Sequence, residues 1–361
     1  MIGLLGFFVI WGTSRAFSLS RAMTTGLMAI WWVGLLAQTL PVLLAERRID
    51  PSGLMRLPPP FVGGDFLGWV VLGVLAGIVA GYRIALRRIR ARMAVAVPVA
   101  VVQPTDALSE GEITRYARHI TLREVGGSGQ KTLKQAKVLV VGAGGLGAPA
   151  LMYLAAAGVG TIGVIDDDVV EVTNLQRQII HADARIGMPK VQSAMIAMQA
   201  VNPYIKVLPY NRRLTADIAE LVAEYDLVLD GSDNFDTRYL VNAACVAAAR
   251  PLIAAAITQW EGQLSLYHPA KGAPCFACVF PERPAPGLVP TCTEAGVAAP
   301  LPGVIGTLMA LEAVKHLTGA GEGLAGRLML FDGLMTDARF IKISRRADCT
   351  VCGQARPLSG P

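Results

Sequence analysis

The 361 residues are 53% hydrophobic and only 17% charged, with a formal net charge of +6. Globular domains usually carry about a quarter charged residues, so this apolar chain is not a mostly disordered one, and its length allows roughly two or three domains. Spread evenly, the positive balance would point to nucleic acid, but it is not spread evenly.

Residues 1–103 hold ten Arg, no Lys and only three acids, Glu46, Asp50 and Asp65, a local balance of +7, and the remainder sums to −1. All six Cys, at 245, 275, 278, 292, 349 and 352, lie in the second part. Such a division predicts two structural units: a transmembrane helical anchor over 1–93, a linker over 94–107 and an α/β domain over 108–361.

Ala22–Ala45 is 24 residues without a charge, longer than the roughly 20 that a helix needs to span hydrocarbon. Phe66–Tyr82 is a second uncharged run of 17, with Trp69 and Tyr82 near its ends, where aromatic belts form. Arg83, Arg87, Arg88, Arg90 and Arg92 follow, and Arg15 and Arg21 precede the first run. Clusters of this kind favour the cytoplasmic face. Arg47, Arg48 and Arg56 in the intervening loop weaken that bias. The expected arrangement is an in–out–in hairpin in a membrane, a bacterial inner membrane by this reading, with the α/β domain in the cytoplasm. Buried core helices are the alternative. Met1–Gly12 is apolar but short, and reads as re-entrant, interfacial or part of a third span. No positive region precedes it, which argues against a cleaved signal peptide.

Pro98 and Pro104 mark Ala94–Pro104 as linker. Ser109-Glu-Gly-Glu112 is a capping box. It predicts an amphipathic helix to about Glu124, carrying Arg115, Arg118 and His119 and ended by Gly126-Gly-Ser-Gly129.

Val138–Val141 is a short apolar run, as expected of a strand buried on both faces. It leads into Gly142-Ala-Gly144-Gly145-Leu-Gly147 and an alanine-rich helix to about Ala157. Thr161–Ile165 reads as a second strand, ending in Asp166-Asp167-Asp168. Glycines there let backbone amides approach phosphate at a helix N-terminus, and the acid after the second strand can bond a ribose hydroxyl. This much suits an adenine nucleotide without separating NAD from ATP. Arg177, in Asn174-Leu-Gln-Arg177-Gln178, and Lys190, after Gly187-Met-Pro189, favour ATP, because cleaving a triphosphate builds charge that cations stabilise.

Leu227–Asp230 is a further strand, running into Gly231-Ser-Asp233-Asn234, with Arg238 four residues on. Asp233 would sit at the carboxyl end of a parallel strand, where ligands bind in open sheets. There it is a natural Mg²⁺ ligand, while Asp230 suits a structural role. Cys275-Phe-Ala-Cys278 and Cys349-Thr-Val-Cys352 suit tetrahedral Zn²⁺ across a gap of 70 residues. A redox or disulfide role is the alternative. Cys245 lies in an apolar helical stretch and reads as a core residue. Cys292, in Pro290-Thr-Cys292-Thr-Glu294, follows a loop rich in Pro and Gly. It is a candidate nucleophile or an inert thiol.

From about Leu108 to Gly353 the chain resembles the ThiF/MoeB/HesA family, relatives of ubiquitin-activating enzymes. The motifs that carry the resemblance occur in order: RYARHI (115–120), GAGGLG (142–147), DDDVVEVTNLQRQ (166–178), GMPKV (187–191), DGSDN (230–234), the two CxxC pairs and TCTEAGV (291–297). The resemblance implies a Rossmann-like ATP-binding domain with a mainly parallel sheet and a zinc-tied C-terminal part. It also implies adenylation of the C-terminal Gly-Gly carboxylate of a small ubiquitin-like sulfur carrier, with release of pyrophosphate, for cofactor biosynthesis. By the same resemblance Gly142, Gly144, Gly145 and Gly147 form the phosphate turn and Asp166 holds the ribose. Asn174, Arg177 and Lys190 engage the triphosphate, and Asp233 with Asn234 serves Mg²⁺ and nucleotide. Arg118 reaches the partner subunit's ATP, which implies a homodimer. Cys292 matches a position where some members form a thioester or persulfide.

Two features depart from the family pattern. Residues 1–103 have no counterpart, and His119 stands where Gln is common. Only eight residues follow Gly353, which predicts a separate protein as sulfur donor. Three other readings compete. A membrane-bound NAD oxidoreductase has no need of Arg177, Lys190 or zinc. A dehydratase acting on modified tRNA conflicts with the −1 balance of the second part. A non-catalytic scaffold conflicts with the intact set of phosphate ligands.

Overall fold

The structure is a computed structural model and describes residues 2–16, 21–47, 66–95, 107–215, 218–283 and 295–353. Its internal contacts divide the chain into two units, Met1–Ala100 and Val101–Pro361.

Among the described residues the first unit contains three helices: α1 (Ile2–Ala16), α2 (Arg21–Arg47) and α3 (Phe66–Val95). The apolar N-terminal segment is thus a helix of its own beside the expected pair, and α3 runs two residues into the expected linker. Helix α2 packs against both neighbours. Its Trp31 lies over Gly6 and its Trp32 over Gly73, and Trp32 Nε1 donates to the Trp69 carbonyl at 2.9 Å. The opposite face of α3 is apolar and exposed, with Leu67, Val71, Val74, Leu75, Ile78 and Val79 outward. Among the described residues one stretch, Leu67–Leu86, is helical, long and apolar enough to cross a membrane, and Met23–Ala37 is a shorter apolar helix.

The second unit opens with α4 (Glu110–Arg115), α5 (Ala117–Ile120) and α6 (Gly126–Gln135). The capping box at Ser109 is present, with Glu112 Oε2 accepting from Ser109 N at 2.8 Å. Glu112 also pairs with Lys134 Nζ at 2.8 Å. Burial opposes ionisation of this carboxyl, but Lys134 and the cap bonds outweigh it and hold the pKa below the usual range. The expected single helix to Glu124 is corrected here: it breaks at Tyr116, and Gly126-Gly-Ser-Gly129 begins a helix rather than ending one. The cause is tertiary. Helix α6 buries Gly129, Gln130 and Leu133, and a Cβ on Gly129 would stand 3.4 Å from Thr318 Cγ2 of a later helix. Close packing overrides the poor helix propensity of glycine.

The core is an eight-stranded sheet in the order β3-β2-β1-β4-β5-β6-β7-β8. Strands β1 (Lys137–Val141), β2 (Thr161–Ile165), β3 (Lys206–Tyr210), β4 (Leu227–Asp230) and β5 (Leu252–Thr258) are parallel. Strands β6 (Glu261–Tyr267), β7 (Arg327–Asp332) and β8 (Asp337–Lys342) continue the sheet antiparallel. Val138 to Val141 of β1 are at most 1% exposed, as the unbroken apolar run requires. The crossover helices are α7 (Gly147–Ala157), α8 (Lys190–Val201), α9 (Ile218–Ala223) and α10 (Phe235–Ala247). The short α11 (Phe276–Val279) and the long α12 (Pro300–Thr318) are the remaining helices among the described residues. Leu301, Ile305, Met309 and Ala313 of α12 recur every four residues and are buried, and the helix packs on α7.

The chain leaves β1 toward β2 on one side and reaches β4 on the other. The crevice at the carboxyl ends of β1 and β4 is therefore the switch point at which open α/β sheets bind ligands.

Candidate functional site

A cleft of about 1160 Å³ lies at that switch point. Of the residues singled out from the sequence it gathers Gly142, Gly144, Gly145, Asp166, Arg177, Lys190, Asp233 and Asn234. The glycine turn follows β1 directly. Gly142 has φ +90°, a conformation that L side chains rarely adopt. Gly147 does not line the cleft. A Cβ there would fall 1.9 Å from the Gly142 carbonyl oxygen, so this glycine lets α7 start close against the turn.

Asp166 directly follows β2 and faces the turn. Its Oδ2 accepts from Ala143 N at 2.8 Å and its Oδ1 from Asp168 N at 2.9 Å. Burial pushes its carboxyl pKa up, against the pull of Lys190 and the two amides. Each oxygen retains a lone pair for a ligand hydroxyl. Lys190, the first residue of α8, is 6% exposed and donates to Asp168 Oδ2 at 2.7 Å. Its ammonium is a buried cation held at the cleft wall. Arg177 is half-buried, with Nη1 on the Thr173 carbonyl at 3.1 Å. Asn174 is not at the cleft surface; its Oδ1 accepts from Glu171 N at 3.2 Å, fixing the turn that carries Arg177.

At the end of β4, Asp230 is fully buried and its Oδ1 accepts from Ser232 N at 2.9 Å, a structural role. Asp233 is exposed in the cleft. Asn234 lines the cleft and caps α10, its Oδ1 accepting from Thr237 N at 2.9 Å. Arg238 is buried at the cleft wall and donates to the carbonyls of Ala255 and Ser232, tying the loop after β4 to β5. Arg118 is exposed on α5 and does not line its own chain's cleft. Cys292 lies outside the described residues.

The four paired cysteines converge although the two pairs lie 74 positions apart: Sγ–Sγ distances are 3.8 Å for Cys275–Cys278, 3.6 Å for Cys275–Cys349 and 3.4 Å for Cys278–Cys352. A tetrahedral zinc with Zn–S bonds of about 2.3 Å has edges of about 3.8 Å, so the four thiols fit that ion. All four are buried and none is in a disulfide. Cys349 sits at about 7: burial raises its pKa, and the amides of Cys352 and Val351 with the neighbouring thiols lower it further. Cys245 is buried in the core beneath β4, and burial raises its pKa.

The rest of the cleft lining comes from elements with no motif, at both ends of the sheet. Arg212 and Arg213 follow β3, and Glu261, Gln263, Asp332 and Arg339 come from the antiparallel strands. The arginines stand at a strand's carboxyl end, a position that could have flagged them. The antiparallel wall carries no comparable signal. His181, also without a motif role, touches the glycine turn from below.

A glycine turn at the switch point, a carboxylate after β2 and a buried lysine beside it at the cleft wall define the class: a nucleotide-binding α/β protein. The ThiF family matches residues 116–351. The adenylyltransferase and sulfurtransferase MOCS3 of Bos taurus is 49% identical over 260 residues, covering 72% of this chain and 57% of that protein. The sulfur carrier protein adenylyltransferase of Thermus thermophilus is 49% identical over 247 residues, covering 67% of this chain and 91% of that one. A crystal structure of E. coli MccB with AMPCPP and MccA superposes with a TM-score of 0.59 at 25% identity, covering 66% of this chain and 74% of that one. The chain belongs to the ThiF family. It spans little more than half the length of the MOCS3 relative.

Proposed function

We propose that the chain adenylates the C-terminal Gly-Gly carboxylate of a small ubiquitin-like sulfur carrier, of the ThiS or MoaD kind, for sulfur transfer in cofactor biosynthesis. The observation that carries this reading is the gathering of Gly144, Gly145, Asp166, Lys190 and Asp233 around one cleft at the switch point. The names of the Thermus and bovine relatives support the reaction. A carboxylate is a weak acylating agent. Attack of its oxygen on the α-phosphorus of ATP forms the acyl–phosphate bond, breaks the bond to the β-phosphate oxygen and releases pyrophosphate. Sulfur can then displace AMP.

The two reactants are anions, so the site must align them and offset their repulsion. The amides of Gly144 and Gly145 would face phosphate, Asp166 the ribose, and Lys190 and Arg177 the triphosphate. Asp233 offers a free hard oxygen to the cleft, suited to Mg²⁺, which would neutralise phosphate charge when bound. Arg118 would be supplied by a second copy of the chain in a homodimer. The four thiolates would hold structural zinc. Sulfur would be supplied by a separate donor protein. Purified chain with Mg-ATP is expected to exchange labelled pyrophosphate into ATP only when a carrier ending in Gly-Gly is present. Absence of exchange across a panel of such carriers removes the reading.

The first unit we assign to a membrane, with the α/β unit on the cytoplasmic side. The exposed apolar face of α3 is costly in water and suited to lipid, and the arginines at 83–92 lie beyond it. Helix α1, at 15 residues, is about 22 Å long, short of the roughly 30 Å hydrocarbon core. That leaves α2 and α3 as the spanning pair. The full chain is expected in the carbonate-resistant membrane fraction, and a chain lacking residues 1–103 in the supernatant. A full chain that stays in the supernatant overturns the anchor.

A further inference from the structure

The turn after β1 can meet an anion only if its N–H groups are aimed, and a peptide N–H is aimed by holding the plane that contains it. Across a trans peptide the C=O and the following N–H point in opposite directions, and no cis peptide occurs among the described residues. Two successive planes of the turn are gripped by side chains. The Ala143 N–H donates to Asp166 Oδ2 at 2.8 Å. The Ala143 C=O lies 2.9 Å from His181 Nε2, and His181 Nδ1 lies 2.9 Å from Ser193 Oγ.

The chemistry of these partners settles the tautomer. A carbonyl oxygen has no proton to give, so Nε2 carries the hydrogen and donates, and Nδ1 accepts from the Ser193 hydroxyl. His181 is 6% exposed and Ser193 0%. Burial holds the imidazole pKa down to about 4, so the ring is neutral at pH 7. Ser193 stands on α8, one turn after Lys190. The helix that brings the buried lysine to the cleft therefore also orients the ring.

We infer that His181 is a positioning residue for the nucleotide's phosphates: by holding the Ala143 C=O toward the core it turns the Gly144 N–H outward into the cleft. Ala143 is fully buried, whereas Gly144 and Gly145 line the cleft, as this orientation requires. The inference rests on the reading that a nucleoside triphosphate binds at this turn. An ordinary core histidine would satisfy its own polar atoms with no bearing on phosphate, and the two roles separate by ligand.

The full chain is titrated with ATP and with adenosine, which lacks the phosphates. His181→Phe is expected to weaken ATP binding by about tenfold or more, the scale of one lost hydrogen bond to a charged group. It should leave adenosine binding within about twofold, and it is expected to cost some stability, because the Ala143 carbonyl and the Ser193 hydroxyl lose their buried partner. His181→Gln, which keeps an N–H donor, is expected to recover most of the ATP affinity. Ser193→Ala, a milder change, is expected to weaken ATP and not adenosine, and it serves if His181→Phe does not fold. ATP affinity unchanged in folded His181→Phe or in Ser193→Ala, or equal loss for ATP and adenosine, overturns the positioning role. So does a glutamine variant as weak as the phenylalanine one. If the native chain binds no ATP, the nucleotide reading itself fails and the inference with it. Native binding with an indifferent His181→Phe removes the inference alone.

Discussion

Asp233→Ala is expected to lower carrier-dependent pyrophosphate exchange by about a thousandfold, the scale seen when a group that stabilises developing charge is removed. The loss should come without a change in the unfolding midpoint. The side chain is exposed in the cleft and, among the described residues, takes no part in holding the fold. Asp230, three positions earlier, is the internal control: it is fully buried and its carboxylate accepts from Ser232 N, so Asp230→Ala should destabilise the protein. Retained exchange in Asp233→Ala would remove the proposed Mg²⁺ role. Arg118→Ala is expected to be equally inactive, although Arg118 lies outside its own chain's cleft. Each active site of the proposed homodimer would need Asp233 from one copy and Arg118 from the other. In an equal, fully exchanged mixture of the two variants, half the dimers are mixed, and each of those has one complete site. About a quarter of native activity should return, as for an arginine finger acting in trans. A mixture that stays inactive after demonstrated subunit exchange excludes the trans role.

The second large effect concerns the four thiols. Reduced protein is expected to carry about one zinc per chain. Stripping it, or substituting Cys349→Ser, is expected to lower the unfolding free energy by several kcal/mol, because metal binding at such a site is also folding free energy. Denaturant unfolding with and without added zinc measures it, and added zinc should restore the stripped native chain. The effect should reach the cleft. Phe276 lies between two of the thiols, donates its N–H to Asn242 Oδ1 of α10 at 2.9 Å, packs edge-on against Tyr239 and Tyr267, and lines the cleft itself. Metal-free protein from reducing preparations, or stability indifferent to chelation, would assign the cysteines to other chemistry.

Much of the glycine-turn side of the cleft was legible in the amino-acid order because its geometry is local. A strand, a glycine turn and a helix N-terminus are contiguous in the chain, so Gly142 to Gly147 could be read as a phosphate turn without knowing what surrounds them. Asp166, at the end of the next strand, follows from the same unit. The glycines nevertheless divide in a way that spacing does not reveal: Gly144 and Gly145 face the cleft, whereas Gly147 is required by the approach of Gly142. Residues 126–129 show the opposite limit. Their glycines favour a break, yet they start a helix, because Gly129 and Leu133 are buried in the unit's interior.

Composition and local order by themselves determined the division of charge at about residue 103, the parallel nucleotide-binding half and the two CxxC pairs as candidate metal ligands. Each depends on neighbours in the chain or on residue chemistry alone. Tertiary structure decided that Cys275 and Cys349 meet at 3.6 Å, that β6 to β8 wall the far side of the cleft, and that His181 grips the turn from beneath. The reason is the same in all three. Such contacts join segments distant in sequence, their energy comes from burying apolar surface and satisfying buried polar groups together, and no local pattern records which partner will be there.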